Sequence, residues 1–162
     1  MSNNFEKVAV LGAGVMGAQI AGHFANAGIK ALLFDINQEL AQKGVDGLTK
    51  QKPAPLYKPK NAELVSACNY DDHVEKLKDV DLVIEAVAER LDIKHAVYNN
   101  IVSHLKESVI LTSNTSGIPL EDLTKVLPDN LKKRFMITHF FNPPRYMPVS
   151  YTHLTLPTIL LV

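Results

Sequence analysis

The chain has 162 residues, 46% of them hydrophobic and 21% charged, a size and mix that suit one globular domain. Its 17 basic and 17 acidic residues cancel, so no charge imbalance points to nucleic acid or an anionic membrane surface. One cysteine, Cys68, excludes an internal disulfide and a cysteine-rich zinc site.

Met1 to Lys7 is polar, and the apolar run that follows breaks at Gly12, Gly14 and Gly17, which is unlike a signal peptide. No apolar run reaches the roughly 20 residues of a membrane span. The expectation is a cytoplasmic or similarly reducing compartment, with Cys68 packed as a small hydrophobe.

Lys7–Leu11 is apolar, β-branched and stops at a glycine, so it reads as a buried parallel strand. Val15–Ala27 reads as a helix with Ile20, Phe24 and Ala27 on one face, ended by Gly28. Ala31–Phe34 is a second strand closing on Asp35, and Asn37–Leu48 a second helix. Pro53, Pro55 and Pro59 make 52–60 a surface loop. Glu63–Cys68 and Val80–Val87 read as strands. Asp92 is placed to cap a helix carrying Ile93, Ala96, Val97, Ile101 and Leu105 on one side. Val109–Leu111 and Phe135–Thr138 are further strands. Strands alternating with helices predict an α/β fold, a Rossmann-type doubly wound and mostly parallel sheet.

Gly12-Ala13-Gly14-Val15-Met16-Gly17 fits G-x-G-x-x-G between a predicted strand and a predicted helix. Gly12 permits the tight turn, Gly14 lets a pyrophosphate approach the backbone, and Gly17 lets the helix lie close to the sheet. Met16 is expected to line the same cleft. Asp35, 18 residues after Gly17, sits where a carboxylate can accept from ribose hydroxyls and repel a 2′-phosphate, which favours NAD over NADP.

Three later segments are Glu85-Ala-Val-Ala-Glu89-Arg-Leu-Asp-Ile-Lys94, Ser113-Asn-Thr-Ser116 and His139-Phe-Phe-Asn142-Pro-Pro. With the glycine turn, their order and spacing resemble the NAD-binding domain of 3-hydroxyacyl-CoA dehydrogenases, over roughly residues 5 to 148. The resemblance implies oxidation of an L-3-hydroxyacyl-CoA by NAD in fatty-acid β-oxidation, with an acyl-CoA substrate. It implies that His139 is the general base, a task that suits imidazole, and that Ser116 hydrogen-bonds the reacting oxygen. It places Val87, Ala88, Glu89, Lys94, Asn114 and Asn142 at the cofactor. Two other readings stay open: a dehydrogenase of a small free hydroxy acid, which would need a cationic cluster near the base where only Arg145 stands, and a non-catalytic dinucleotide binder, which would need neither His139 nor Ser116. His23, His73, His95 and His104 show no ligand spacing such as H-E-x-x-H, and no metal is expected.

The resemblance lapses from Val149 onward. Where the family carries a glutamate that orients the histidine, twelve residues after His139, this sequence has Tyr151, a phenol that is neutral near pH 7. Residues 149–158 resemble a translated sequencing-library adaptor. The expectation is a native domain over 1–148 and a foreign tail over 149–162. In the family a helical second domain follows, and the whole enzyme is a homodimer or part of a multidomain complex. This chain is expected to be monomeric, to bind NAD weakly and to be impaired or inactive.

Overall fold

The computed structural model describes residues 5–147 and the backbone of 150–154. Strand β1 (Lys7–Leu11) lies in the middle of the sheet, with Val8 to Leu11 sealed from solvent. It pairs in parallel with β2 (Lys30–Asp35) on one side and β4 (Leu82–Glu85) on the other. With β3 (Val65–Asn69), β5 (Ile110–Ser113), β6 (Phe135–Phe140) and β7 (Ser150–Leu154), the order is β3-β2-β1-β4-β5-β6-β7. The first six strands are parallel; β7 runs antiparallel to β6. The order reverses between β1 and β4, and the loops at their carboxyl ends open a crevice there.

Side-chain alternation along β1 divides the core. Val8 and Val10 join Ile20, Ala21, Leu33 and Leu48 on one face, while Ala9 and Leu11 join Phe34, Tyr98, Ile101 and Phe135 on the other. Helix α1 (Val15–Asn26) covers the first face and buries every residue from Gly17 to Gly22. The narrow stripe expected from the sequence holds at Ile20, but Ala27 is exposed at the C-cap. Gly28 follows with φ +81°, the left-handed end that glycine tolerates. In α2 (Gln38–Gly47) the Asn37 side chain accepts from the Leu40 amide at 2.9 Å.

The expected loop over 52–60 holds as far as Lys58, and a 3-10 turn begins at Pro59. The loop is pinned rather than loose. Asn26 Oδ1 accepts from the Tyr57 amide, and Asn26 Nδ2 donates to the Pro55 carbonyl, at 2.8 and 2.9 Å.

Helix α4 (Leu91–Ile101) corrects two expectations. Its N-cap is Arg90, with no side-chain cap; Asp92 lies inside the first turn and pairs with Arg90 at 2.6 Å. Its buried residues are Lys94, Tyr98 and Ile101, whereas Ala96 is exposed. Apolar spacing missed this because the buried stripe is centred on a charged residue. The short helices α3 (Tyr70–His73), α5 (Leu120–Thr124) and α6 (Asp129–Lys132) complete the second face.

Strand β6 extends two residues beyond its predicted end, which carries His139 to the crevice. The expected tail begins at Val149, and Ser150 to Leu154 nevertheless pair with β6. A ladder is made by backbone amides and carbonyls and asks little of residue identity. The part of that tail from 155 to 162 lies outside the described residues. Among the described residues no helix is long and apolar enough to cross a membrane.

Candidate active site

The glycine turn is built by the absence of side chains. Gly12 has φ +102°, and a Cβ there would stand 2.7 Å from the Ala86 carbonyl oxygen. A Cβ on Gly17 would stand 1.8 Å from the Gly12 carbonyl oxygen, so α1 can approach β1 this closely only with glycine. A Cβ on Gly14 would meet nothing within 4 Å. That open space lies beside the start of α1, which no side chain caps and whose first amides have no partner within the helix. It is the form of space a pyrophosphate needs.

Next to it is a slot of about 240 Å³ lined by Gly12, Gly14, Asp35, Ile36, Val87 and Ala88, with Ile93 and Val97 of α4. Asp35 Oδ2 accepts from the Ala13 amide at 2.7 Å and Oδ1 from its neighbour Ile36 at 2.7 Å, so the carboxylate is fixed at the mouth. Apolar walls with one carboxylate suit an adenosine: the base packs on the walls and the ribose hydroxyls reach the acid. These residues therefore fit a dinucleotide. Met16 is half-buried and packs against the face of the core that holds Val8, Val10 and Ile20.

The carboxyl ends of β4, β5 and β6 meet in a second cluster. Glu85, the last residue of β4, is wholly buried. Its Oε1 accepts from Lys94 Nζ and the Val87 amide, both at 2.8 Å, and its Oε2 from Ser113 Oγ at 2.6 Å and Tyr98 OH at 3.0 Å. Burial, and then the Glu85 carboxylate, hold the Tyr98 hydroxyl far above the ordinary phenol range, so it serves as a donor. Lys94, with 1% of its side chain exposed, also reaches Glu89 Oε2 at 3.2 Å.

Glu89 grips the turn after β5. Its Oε1 accepts from Thr115 Oγ1 at 2.5 Å, the Ser116 amide at 2.8 Å and the Gly117 amide at 3.2 Å. Burial pushes the Glu89 carboxyl up, but the Thr115 hydroxyl, the Ser116 amide and the Lys94 ammonium outweigh it, and the carboxyl falls to about 2.

Ser116 Oγ lies 3.3 Å from His139 Nε2, and both line a hollow of about 340 Å³ with Ile118, Leu120 and Ile137. The His139 ring packs on Phe141, with centroids 5.2 Å apart. Asn114 Oδ1 accepts from the Phe140 amide at 2.8 Å and ties β5 to β6 beside the pair. Asn142 is exposed on the following loop. A hydroxyl and an imidazole sharing one wall of an apolar hollow can exchange a proton with a substrate oxygen held between them.

The structure thus brings His139, Ser116, Glu89 and Lys94 into one network, and Gly12, Gly14, Asp35, Val87 and Ala88 around one slot. Lys94 is buried and points at two carboxylates. Arg145 is held in place: its Nη1 donates to the Ala54 and Leu56 carbonyls at 2.7 and 2.6 Å, and its guanidinium packs on the rings of Tyr57 and Tyr146. Sequence reasoning missed the roles of Glu85, Tyr98 and Thr115. The signal was there: a carboxylate inside the apolar run VDLVIEAV calls for buried partners. Lys94 and Tyr98, four residues apart on one helix face, can supply them.

The chain matches the family model described as 3-hydroxyacyl-CoA dehydrogenase, NAD binding domain, over residues 7–150. A Rickettsia felis protein named as a fatty acid oxidation complex trifunctional enzyme is 46% identical over 154 residues, covering 91% of this chain and 21% of that relative. A Deinococcus radiodurans protein named as a probable 3-hydroxyacyl-CoA dehydrogenase is 43% identical over 149 residues, covering 88% of this chain and 43% of its own length. The chain therefore spans less than half the length of either. Among solved structures, 3-hydroxybutyryl-CoA dehydrogenase from Escherichia coli superposes with a TM-score of 0.77 at 30% identity, over 92% of this chain and 32% of that one.

Proposed function

Because the chain belongs to the family of 3-hydroxyacyl-CoA dehydrogenase NAD-binding domains, we propose that it serves the oxidation of an L-3-hydroxyacyl-CoA to the 3-ketoacyl-CoA in fatty-acid β-oxidation. The single observation that carries this reading is the Ser116–His139 pair, 3.3 Å apart, at the carboxyl ends of strands whose neighbours form the dinucleotide slot.

NAD, when bound, supplies the hydride acceptor. The chain's own residues do the rest. Gly12, Gly14 and the start of α1 would hold the pyrophosphate, and Asp35 the adenosine ribose. Asn142, on the loop after His139, would stand at the nicotinamide end. Ser116 Oγ hydrogen-bonds the substrate oxygen as alcohol and as ketone. His139 Nε2 takes the hydroxyl proton as the hydride leaves the same carbon, and returns it in the reverse direction. The flanking Ile118, Leu120 and Ile137 would give the reacting carbon an apolar wall.

His139→Gln, made beside Tyr151→Glu so that turnover is high enough to read, tests the assignment with acetoacetyl-CoA and NADH. Turnover should drop by about 10²–10⁴-fold while NADH affinity is kept. Unchanged turnover, or loss of NADH binding in step with it, would overturn the reading. A free hydroxy acid is less well served, since Arg145 is held against the 54–57 loop, with Nη1 donating to the Ala54 and Leu56 carbonyls.

We further propose that turnover is weak because position 151, which the register sets opposite His139, carries tyrosine and not a carboxylate. Tyr151→Glu should raise turnover in the same assay. Residues 1–148 would form the native domain and 149–162 a foreign tail, a reading refuted by codons for 149–158 that do not spell an adaptor. We also propose a cytoplasmic location and, for the whole enzyme, a homodimer or a multidomain complex, the latter in keeping with a relative named as trifunctional of which this chain covers 21%.

A further inference from the structure

We infer that Glu85 is a positioning residue for the reacting pair: through Lys94 it holds Glu89, and Glu89 holds the Thr115–Gly117 turn so that Ser116 faces His139. The inference deepens the proposed function and rests on Ser116 and His139 being the reacting groups.

A carboxylate buried at the end of an apolar strand is a costly choice if stability is its only task. Replacing a buried ion pair by packed apolar residues is often neutral or stabilising. Here the cost is offset by four donors that use both oxygens, namely Lys94 Nζ, the Val87 amide, Tyr98 OH and Ser113 Oγ. The arrangement fixes more than Glu85. Tyr98 and Ser113 anchor Oε2, which aims Oε1 at Lys94, and Lys94 Nζ is then held between Glu85 Oε1 at 2.8 Å and Glu89 Oε2 at 3.2 Å.

Glu89 needs that anchor. Its side chain is 45% exposed, and an exposed carboxylate on a turn otherwise samples several rotamers. With Oε2 tied to Lys94, Oε1 is turned toward the Thr115 hydroxyl and the amides of Ser116 and Gly117. Three donors from three consecutive residues on one oxygen set the shape of the turn. The Ser116 hydroxyl at its tip is thereby presented to His139 Nε2. The path from the core to the reacting pair is continuous, and each link is a hydrogen bond or ion pair. Lys94 acts on the reacting pair through Glu89.

The test is amide NMR on the ¹⁵N-labelled chain with Glu85→Gln, which keeps the size of the side chain and removes the charge facing Lys94. The Ser116 and Gly117 amides should lose their carboxylate-bound proton shifts and exchange on the order of tenfold faster, while the Val10 and Ile84 amides in the sheet keep their protection. Tyr98→Phe removes a single donor, is expected to fold, and should produce a smaller change at the same two amides. Unchanged shifts and rates at Ser116 and Gly117 in both variants would overturn the inference. Equal loss of protection at the turn and across the sheet would do so as well, because Glu85 would then be stabilising only. The dehydrogenase reading fails by a different sign: an unmodified chain that neither binds NADH nor reduces acetoacetyl-CoA, whatever the turn amides do.

Discussion

The two sides of the crevice are built by opposite means. Around β1 and β2 the surface proposed for the cofactor is made by what is missing: glycines where a Cβ would strike the Ala86 or Gly12 carbonyl, and open space at Gly14. Around β4, β5 and β6 the surface is made by what is present, a chain of charged and hydroxyl side chains running from buried Glu85 to His139. The first side is built on one βαβ unit, from Gly12 to Asp35, with the Ala86–Ala88 turn against it, and its slot carries one carboxylate, Asp35. The second joins residues up to 28 positions apart and depends on buried ions. A surface of backbone tolerates electrostatic change but not added volume; a surface of paired ions behaves the other way round.

Removing charge from the second side should have the largest effect. Lys94→Met leaves the Glu85 carboxylate buried without its cation, and a loss of about 3–5 kcal/mol of stability is expected in urea unfolding. A loss well under 1 kcal/mol would show that the two sides do not differ as argued. On the first side, Gly17→Ala should cost about 3 kcal/mol, because its Cβ would meet backbone and not a side chain that can move. Gly14→Ala sharpens the contrast within the same motif. Its backbone conformation suits any residue and its surroundings are empty, so stability should change by no more than about 0.5 kcal/mol. NADH affinity should nevertheless weaken, as read by fluorescence titration, since the new methyl occupies the place proposed for the pyrophosphate.

A pH dependence is also expected, and it is confined to the second side. The Glu89 carboxyl lies near 2 in the fold, below its ordinary 4.5. It therefore contributes stability that is fully present above pH 4.5 and fades as the pH falls toward 2. Thermal unfolding followed between those limits should show a steeper acid loss for the unmodified chain than for Glu89→Gln. Parallel acid profiles would place the sensitivity elsewhere, for example at Asp81, whose carboxyl the Lys106 ammonium holds low despite some burial.

Much of this was legible in the residues themselves. The apolar run at Lys7–Leu11, the glycine spacing and Asp35 specified the first βαβ unit and its slot, because backbone sterics and strand periodicity act between near neighbours. Cys68 is a buried packing residue, as its lone occurrence suggested. The four motifs, taken in order, also pointed to the family. Legibility failed where a residue's meaning lay in a distant partner. Asp92 looked like a cap and is not one; the sequence did not show that Lys94 bridges two carboxylates, nor that Arg145 staples two loops together.

The chain's own order of residues determined an open parallel sheet, a dinucleotide turn and the identity of the groups with the right chemistry. Only tertiary structure decided which of those groups meet. The register of β4, β5 and β6 sets Glu85 beside Ser113 and brings His139 to Ser116. Hydrogen bonds and ion pairs require a few ångströms of approach and a direction, and along the chain those partners stand dozens of residues apart.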